Sequence, residues 1–248
     1  MLSFSQATFV YEPYPICWIG NVFSDAEYDA LTRSYPDLGL FDHKPKLGDK
    51  YSLSERNNPD NYRRFVEGSP PWAKLHAHVK SARFIDGTFG FLKQHNIDLG
   101  LGRYDVNLTR WRKKKSSWRS RLSQRAELNV RFEFSVMGGQ GGHILPHTDD
   151  PVKLVTLVMS MIRPGEWNDA WGGGTQVCMP KDRTLIYNQL NRFLDFEQVD
   201  VLGSYDFRPN QCILFIKTYN SWHQVAPINA PVGAPLRRTL TINIERLG

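Results

Sequence analysis

The sequence predicts a mainly β protein, a sandwich or jelly roll with supporting helices at its N-terminal end. Three observations carry this expectation. After residue 128, Val130, Phe132, Phe134 and Val136 alternate with Arg131, Glu133 and Ser135, the two-residue period of a half-buried strand. The apolar runs that follow are short and separated by Gly, Pro and Asn turns such as Gly138-Gly139-Gln140-Gly141-Gly142. Helical signals, by contrast, are confined to the first hundred residues.

Taken in order, Ile19, Val22 and Phe23 suggest a short strand and turn. Ser24-Asp25-Ala26-Glu27 has the form of a capping box and opens a helix running to about Tyr35, before Pro36. Residues 41–66 are polar, with Asn57-Asn58-Pro59-Asp60-Asn61 expected as a loop. Ser69-Pro70-Pro71 then starts a second helix, with proline where no donor is needed. Its buried stripe is Trp72, Leu75, Val79 and Phe84, and it ends near Gly87 or Gly90.

The strands come next. One carries Ile144, Leu145, His147 and Asp149, and Leu154 to Ile162 reads as a central strand. Gly172-Gly173-Gly174-Thr175-Gln176-Val177-Cys178 leads into another, Cys212 to Lys217 forms a further one, and Arg237 to Glu245 is the last. That last strand has two faces: Leu240, Ile242 and Ile244 against Arg237, Thr239, Thr241 and Asn243. No internal repeat is visible. The expected organisation is a single catalytic domain over 1–248, with 1–100 mostly helical support, 103–127 a basic loop or lid and 128–248 the jelly-roll core.

Composition excludes several classes. No apolar run reaches 18 residues, so no membrane span is expected. The N-terminus lacks the pattern of a secretory leader, and Cys17, Cys178 and Cys212 form neither zinc nor disulfide spacing. The expected location is cytoplasmic. Between Arg103 and Arg131 the local net charge is +8 against +6 for the whole chain, so the rest sums to −2. The basic character therefore belongs to one segment, centred on Arg110-Trp111-Arg112-Lys113-Lys114-Lys115-Ser116-Ser117-Trp118-Arg119. It reads equally as a solvated loop or as a lid that draws an anionic substrate to a cavity mouth. Trp111 and Trp118 among cations also suit single-stranded nucleic acid, but the flanking motifs do not have that look and nucleic acid is not expected.

The chemistry-bearing residues are His147, Asp149, His223, Arg237 and Thr239. On a strand, positions i and i+2 share a face, so His147 and Asp149 can reach one metal ion, and His223 from a distant strand completes two imidazoles and one carboxylate. That set suits non-haem Fe(II), which keeps neighbouring positions open for substrates. Arg237 lies on the polar face of the last strand beside Thr239, where a guanidinium could grip a carboxylate. Strand parity favours Arg237 over Arg238, and a bulge near Pro235 would reverse it. His76-Ala77-His78 also pairs histidines, but on an expected helix, where i and i+2 diverge. His143 is a candidate neighbour of the metal ligands.

Four stretches, in order, resemble the Fe(II)- and 2-oxoglutarate-dependent oxygenases, specifically their prolyl-4-hydroxylase-like branch. They are Leu145-Pro146-His147-Thr148-Asp149; Gly173-Gly174-Thr175; Phe207-Arg208-Pro209-Asn210 leading into Cys212-Ile213-Leu214-Phe215; and Ser221-Trp222-His223-Gln224-Val225-Ala226-Pro227 followed by Arg237-Arg238-Thr239-Leu240. The resemblance covers residues 128–248. It implies a double-stranded β-helix core, with His147, Asp149 and His223 as metal and catalytic residues. It further implies Arg237 and Thr239 as the 2-oxoglutarate site, with Fe(II), 2-oxoglutarate and O2 as cofactor and co-substrates. The loop from His223 to Arg237 is longer than usual in this branch, and Leu145 stands where some relatives carry a tyrosine.

The activity the resemblance implies is hydroxylation of an unactivated C–H, because Asp149 leaves no ligand position for a halide. The expected substrate is a small or anionic molecule, a metabolite, sugar or glycan precursor. A protein prolyl substrate is the alternative within the class. A zinc hydrolase using the same triad, or a non-catalytic jelly-roll binding module, is the alternative outside it.

Overall fold

The computed structural model describes residues 2–107 and 125–247. Thirteen strands and four α-helices are found there: β1 (Ala7–Val10), β2 (Ile16–Gly20), α1 (Asp25–Arg33), β3 (Asp42–Lys44), β4 (Lys50–Ser54), α2 (Pro59–Gly68), α3 (Pro70–Val79), α4 (Ala82–Gln94), β5 (Arg103–Val106), β6 (Arg125–Met137), β7 (Ile144–His147), β8 (Lys153–Ser160), β9 (Thr175–Pro180), β10 (Val199–Tyr205), β11 (Gln211–Ile216), β12 (His223–Val225) and β13 (Arg237–Leu247).

From β6 onward the chain winds between two facing sheets. The larger has the order β1-β2-β11-β8-β13-β6-β4-β3, with β5 pairing β6; the smaller has the order β10-β9-β12-β7. Strands β6, β8, β11 and β13 thus sit in one sheet, while β7, β9, β10 and β12 sit in the other. This alternation of antiparallel strands is a double-stranded β-helix, so the jelly-roll core is observed. Among the described residues, no helix is long and apolar enough to cross a membrane.

The apolar face of the large sheet meets the helices. Trp72 of α3 packs edge-on against Phe134 at 4.7 Å between ring centroids, and Leu240, Ile242 and Ile244 lie in the same core. The other face looks into the roll. Asn129, Glu133 and Ser135 on β6, and Arg237, Thr239 and Asn243 on β13, are buried there. Strand β6 is therefore covered on both faces, not half-buried as the alternation suggests, because its polar face lines a cavity. The Tyr35 hydroxyl lies 3.0 and 2.9 Å from the carbonyls of Ser135 and Thr239, which ties the end of the α1 segment to that sheet.

The first hundred residues differ most from expectation. They supply strands as well as helices, since β1 and β2 extend one edge of the large sheet and β3 and β4 the other. Residues 57–61 are not a loop throughout: Asn58 turns at a positive φ and Pro59 begins α2, buried through Tyr62 and Val66. The helix expected from 69 to 87 or 90 is two helices, because Ser81 caps a new one by accepting the Phe84 N–H at 3.2 Å. Its stripe of Trp72, Leu75, Val79 and Phe84 is buried as expected, but Gly87 and Gly90 lie inside α4. At Ser24 the side chain bonds the Glu27 carboxylate at 3.2 Å rather than a backbone donor, so the capping box is incomplete.

The basic segment meets β5 and β6 at its two ends, where residues 103–106 pair in parallel with 125–128. These ends are strands instead of loop. Its centre, with Trp111 and Trp118, lies outside the described residues.

Candidate metal centre and its cavity

His147 and His223 are brought together by pairing of β7 with β12, in which they are direct cross-strand partners. Their ring centroids lie 4.4 Å apart. Each Nδ1 is 2.9 Å from a backbone carbonyl, Leu145 for His147 and Ser221 for His223. Only a protonated Nδ1 makes such a bond, so in the neutral form of either ring the free lone pair is on Nε2, the nitrogen that faces Asp149. Phe193 stacks on His147 and Phe215 on His223, fixing the ring planes.

Asp149 reaches the same point by a route the sequence pattern did not foresee. Strand β7 ends at His147, and Asp149 has a φ of 71°, in the left-handed region that Asp tolerates better than most residues. A turn, not strand parity, aims its carboxylate. Thr148 between them is clamped: its hydroxyl donates to the Asn188 carbonyl at 3.1 Å, and its carbonyl accepts from Ser221 Oγ at 3.3 Å. Ligand atoms of His147, Asp149 and His223 all lie within 4.8 Å of one another. Asp149 sits 3.5 Å from His147 Nε2 and 3.9 Å from His223 Nε2.

The electrostatics suit a cation. Burial pushes the Asp149 carboxyl up, but the Lys153 ammonium, followed by the contact with His147, outweighs it and holds the group well below the usual carboxylate range. Burial, reinforced by His147, lowers His223 to about 3, so its imidazole is neutral and ready to ligate. Thr156 Oγ1 lies 3.2 Å from Asp149 Oδ2 and 2.9 Å from Asn243 Oδ1, although a hydroxyl has one hydrogen. Among the described residues Asn243 Nδ2 has no partner. Exchanging the Asn243 amide N and O would satisfy both groups: Asn243 donates to Thr156, and Thr156 to Asp149.

The triad opens onto a cavity of about 500 Å³, and Arg237 and Thr239 line the same space. Arg237 is buried, with its Nε donating to the Gly173 carbonyl at 2.5 Å and its guanidinium 4.5 Å above the Phe207 ring. Among the described residues no carboxylate pairs with it, and burial lowers its pKa to about 9. Gly173 has a φ of 78°, and a Cβ there would lie 2.9 Å from Trp167 and 3.3 Å from Arg237 Cδ, so the glycine lets the backbone approach the guanidinium. Arg238 takes the other face and pairs with Glu166 at 2.5 Å.

The remaining histidine candidates stand apart. His143 lines the cavity but bonds the Gly141 carbonyl at 2.8 Å and is not among the metal-binding atoms. His76 and His78 lie on α3, where His76 packs edge-on against Phe132. Sequence reasoning missed Lys50, Lys153 and the inward role of Arg131, all of which line the cavity. Their alternation with apolar neighbours was visible, but not which face enclosed a site.

No family model matches the chain, and no curated protein matches it. Solved structures do. A Pseudomonas putida prolyl-4-hydroxylase aligns over 93% of this chain and 92% of its own, at 13% identity and a TM-score of 0.47. IDO from Bacillus thuringiensis aligns over 94% and 93%, at 14% identity and 0.49. The epimerase SnoN, solved in complex with Fe3+, alpha ketoglutarate and nogalamycin RO, aligns over 93% and 78%, at 12% identity and 0.48. At these identities and scores the chemistry rests on the site itself: two imidazoles, one buried carboxylate and a guanidinium with no carboxylate partner among the described residues, all around one cavity.

Proposed function

We propose that this chain is an Fe(II)- and 2-oxoglutarate-dependent dioxygenase that hydroxylates an unactivated C–H of a small or anionic substrate. One observation carries the reading: a two-His, one-carboxylate set and a buried cation with no counter-ion among the described residues share one cavity. A dicarboxylate with a metal-chelating keto acid at one end meets both requirements.

His147, Asp149 and His223 would hold the metal on one side, leaving the cavity side free for substrates. Bound there, Fe(II) with 2-oxoglutarate and O2 supplies oxidation coupled to decarboxylation of the co-substrate to succinate and CO2. Arg237 would bind the far carboxylate in a site whose low dielectric strengthens the pairing, with the Thr239 hydroxyl lining the same wall. Phe193 and Phe215 hold the imidazoles and keep water from their outer faces. The Leu145 and Nδ1 contacts keep His147 in the ligating tautomer.

A zinc hydrolase would need a general base beside the metal. The acidic residues lining the cavity are Asp149, a ligand, and Asp150, which is exposed and already bonds the Val152 N–H at 3.0 Å. That composition favours the oxygenase. A protein prolyl substrate has no separate support among these residues.

The test is anaerobic titration with Fe(II) and 2-oxoglutarate, followed by the visible metal-to-ligand charge-transfer band. Appearance of the band in the wild type and its loss in His223→Ala is expected. Its absence from fully iron-loaded protein would overturn the reading.

A further inference from the structure

Strands β4 and β6 carry a ladder of ion pairs into the cavity, and the order of its layers is informative. Glu133 pairs with Lys50 at 2.8 Å and with Arg131 at 3.4 Å. It also accepts from Ser52 Oγ at 2.9 Å and Ser135 Oγ at 3.3 Å. Glu245 pairs with Arg131 at 3.2 Å and with Arg56 at 2.5 Å. The side chains of Lys50 and Arg131 keep 23% and 17% of their exposure, whereas Glu133 and Glu245 keep 6% and 3%. The acids therefore lie beneath and the cations face the cavity.

The location separates this layer from Arg237. Arg131 sits opposite Asn243 on β13, six residues beyond Arg237, and Asn243 pairs with Thr156 on β8. Thr156 contacts the metal-ligand carboxylate of Asp149 at 3.2 Å. Burial pulls the Arg131 pKa down, but Glu133, Glu245 and then Asp149 hold it up, so Arg131 feels the charge at the metal site. Lys46, exposed at the rim, adds a further cation to the same cavity.

We propose that Lys50 and Arg131 form a second anion site, which holds the carboxylate or phosphate of the substrate to be oxidised beside the metal. Glu133 and Glu245 are positioning residues: they fix the two cationic heads at the cavity wall. This rests on the oxygenase reading only for the word substrate; the anion site itself stands on the ladder. It also places the substrate's charge inside the roll, not on the basic segment between β5 and β6.

Calorimetric titration of the metal-free protein with inorganic phosphate at physiological ionic strength tests the site, with acetate as a parallel arm. Saturable phosphate binding is expected in the Arg237→Met background, where the anion site assigned to the co-substrate is removed, and there at least tenfold weaker when Lys50→Met or Arg131→Lys is added. Acetate binding with the same dependence on Lys50 assigns the site to carboxylates as well, and its failure assigns it to phosphate alone. Melting curves of each variant verify folding, and Lys50→Met, at the partly exposed end of the ladder, is the substitution least able to disturb it. Absence of saturable binding by either anion in Arg237→Met, or binding there that ignores Lys50 and Arg131, would overturn the proposal. No metal or 2-oxoglutarate enters this titration, so its outcome is independent of the charge-transfer experiment.

Discussion

Lys153 Nζ lies 2.5 Å from Asp149 Oδ1, the same oxygen that faces His147 Nε2 at 3.5 Å. An ammonium thus occupies one side of the carboxylate that the metal reading assigns as a ligand. A divalent ion and an ammonium compete for that oxygen's charge. Lys153→Met should therefore tighten binding of Mn(II), a redox-inert probe, by about tenfold, equivalent to about 1.4 kcal/mol. Weaker binding in the variant would show instead that Lys153 is needed to aim Asp149.

His147→Ala removes one of three donors and leaves its partner His223 without the cross-strand ring at 4.4 Å. Losing a direct ligand should cost more than the roughly 10–100-fold typical of an outer partner. Mn(II) affinity should fall by more than about 100-fold and turnover, followed as succinate release, should vanish. Retention of metal binding by the folded variant would remove His147 from the set.

Arg237 and Arg238 give a paired test of strand parity. Truncating a buried charge that grips an anion costs about 2–5 kcal/mol, so Arg237→Ala should raise the 2-oxoglutarate KM roughly 30-fold or more. Arg238 is tied to Glu166 in a partly buried pair on the other face of the strand, so its loss should act on stability and leave the 2-oxoglutarate KM near wild type. A larger KM effect from Arg238→Ala would place the co-substrate on the other face.

The parity of β13 was readable because Thr239, Thr241 and Asn243 alternate without interruption with Leu240, Ile242 and Ile244, and only one assignment buries the apolar set. The triad was readable from residue type and order. The means of its assembly was not, since the turn at Asp149 depends on Thr148 being held by Asn188 and Ser221, 40 and 73 residues away in sequence. Lys50 and Glu133 are 83 residues apart, and only the register of β4 on β6 sets them side by side. Helix α2 was hidden by its composition: Asn57, Asn58 and Pro59 signal a turn, yet Pro59 stands at the first helical position, where proline starts helices as readily as it ends them.

Glu133 makes the ladder sensitive to acid. Burial raises its pKa, but Lys50 and Arg131 outweigh that and hold the carboxyl far below the usual range. As pH falls through about 4.3, the unfolded chain takes up a proton there that the folded chain refuses. Stability present above that pH is therefore lost below it, by up to about 1.4 kcal/mol per pH unit for this one group. Glu133→Gln should be less stable at neutral pH, where it leaves two cations without their shared acid, yet show a shallower acid limb. Denaturant unfolding at pH 3–6 measures both, and parallel acid limbs would exclude Glu133 as a source of the slope.

Gly48 fixes the rim of the cavity. It has a φ of 72°, and a Cβ there would lie 1.8 Å from the His143 carbonyl oxygen. Its own carbonyl accepts the His143 N–H at 3.2 Å, joining the turn before β4 to the turn before β7. An alanine must pay about 1–2 kcal/mol for the left-handed backbone alone and must also push the two turns apart. Gly48→Ala should lower the melting temperature and raise the KM for the substrate to be oxidised. It should leave Mn(II) affinity near wild type, because neither turn contributes a ligand. Gly39→Ala is the control: a Cβ at that position meets nothing within 4 Å, so stability should shift by less than about 0.5 kcal/mol. Equal effects from the two alanines would show that the contact between the rim turns does not shape the cavity.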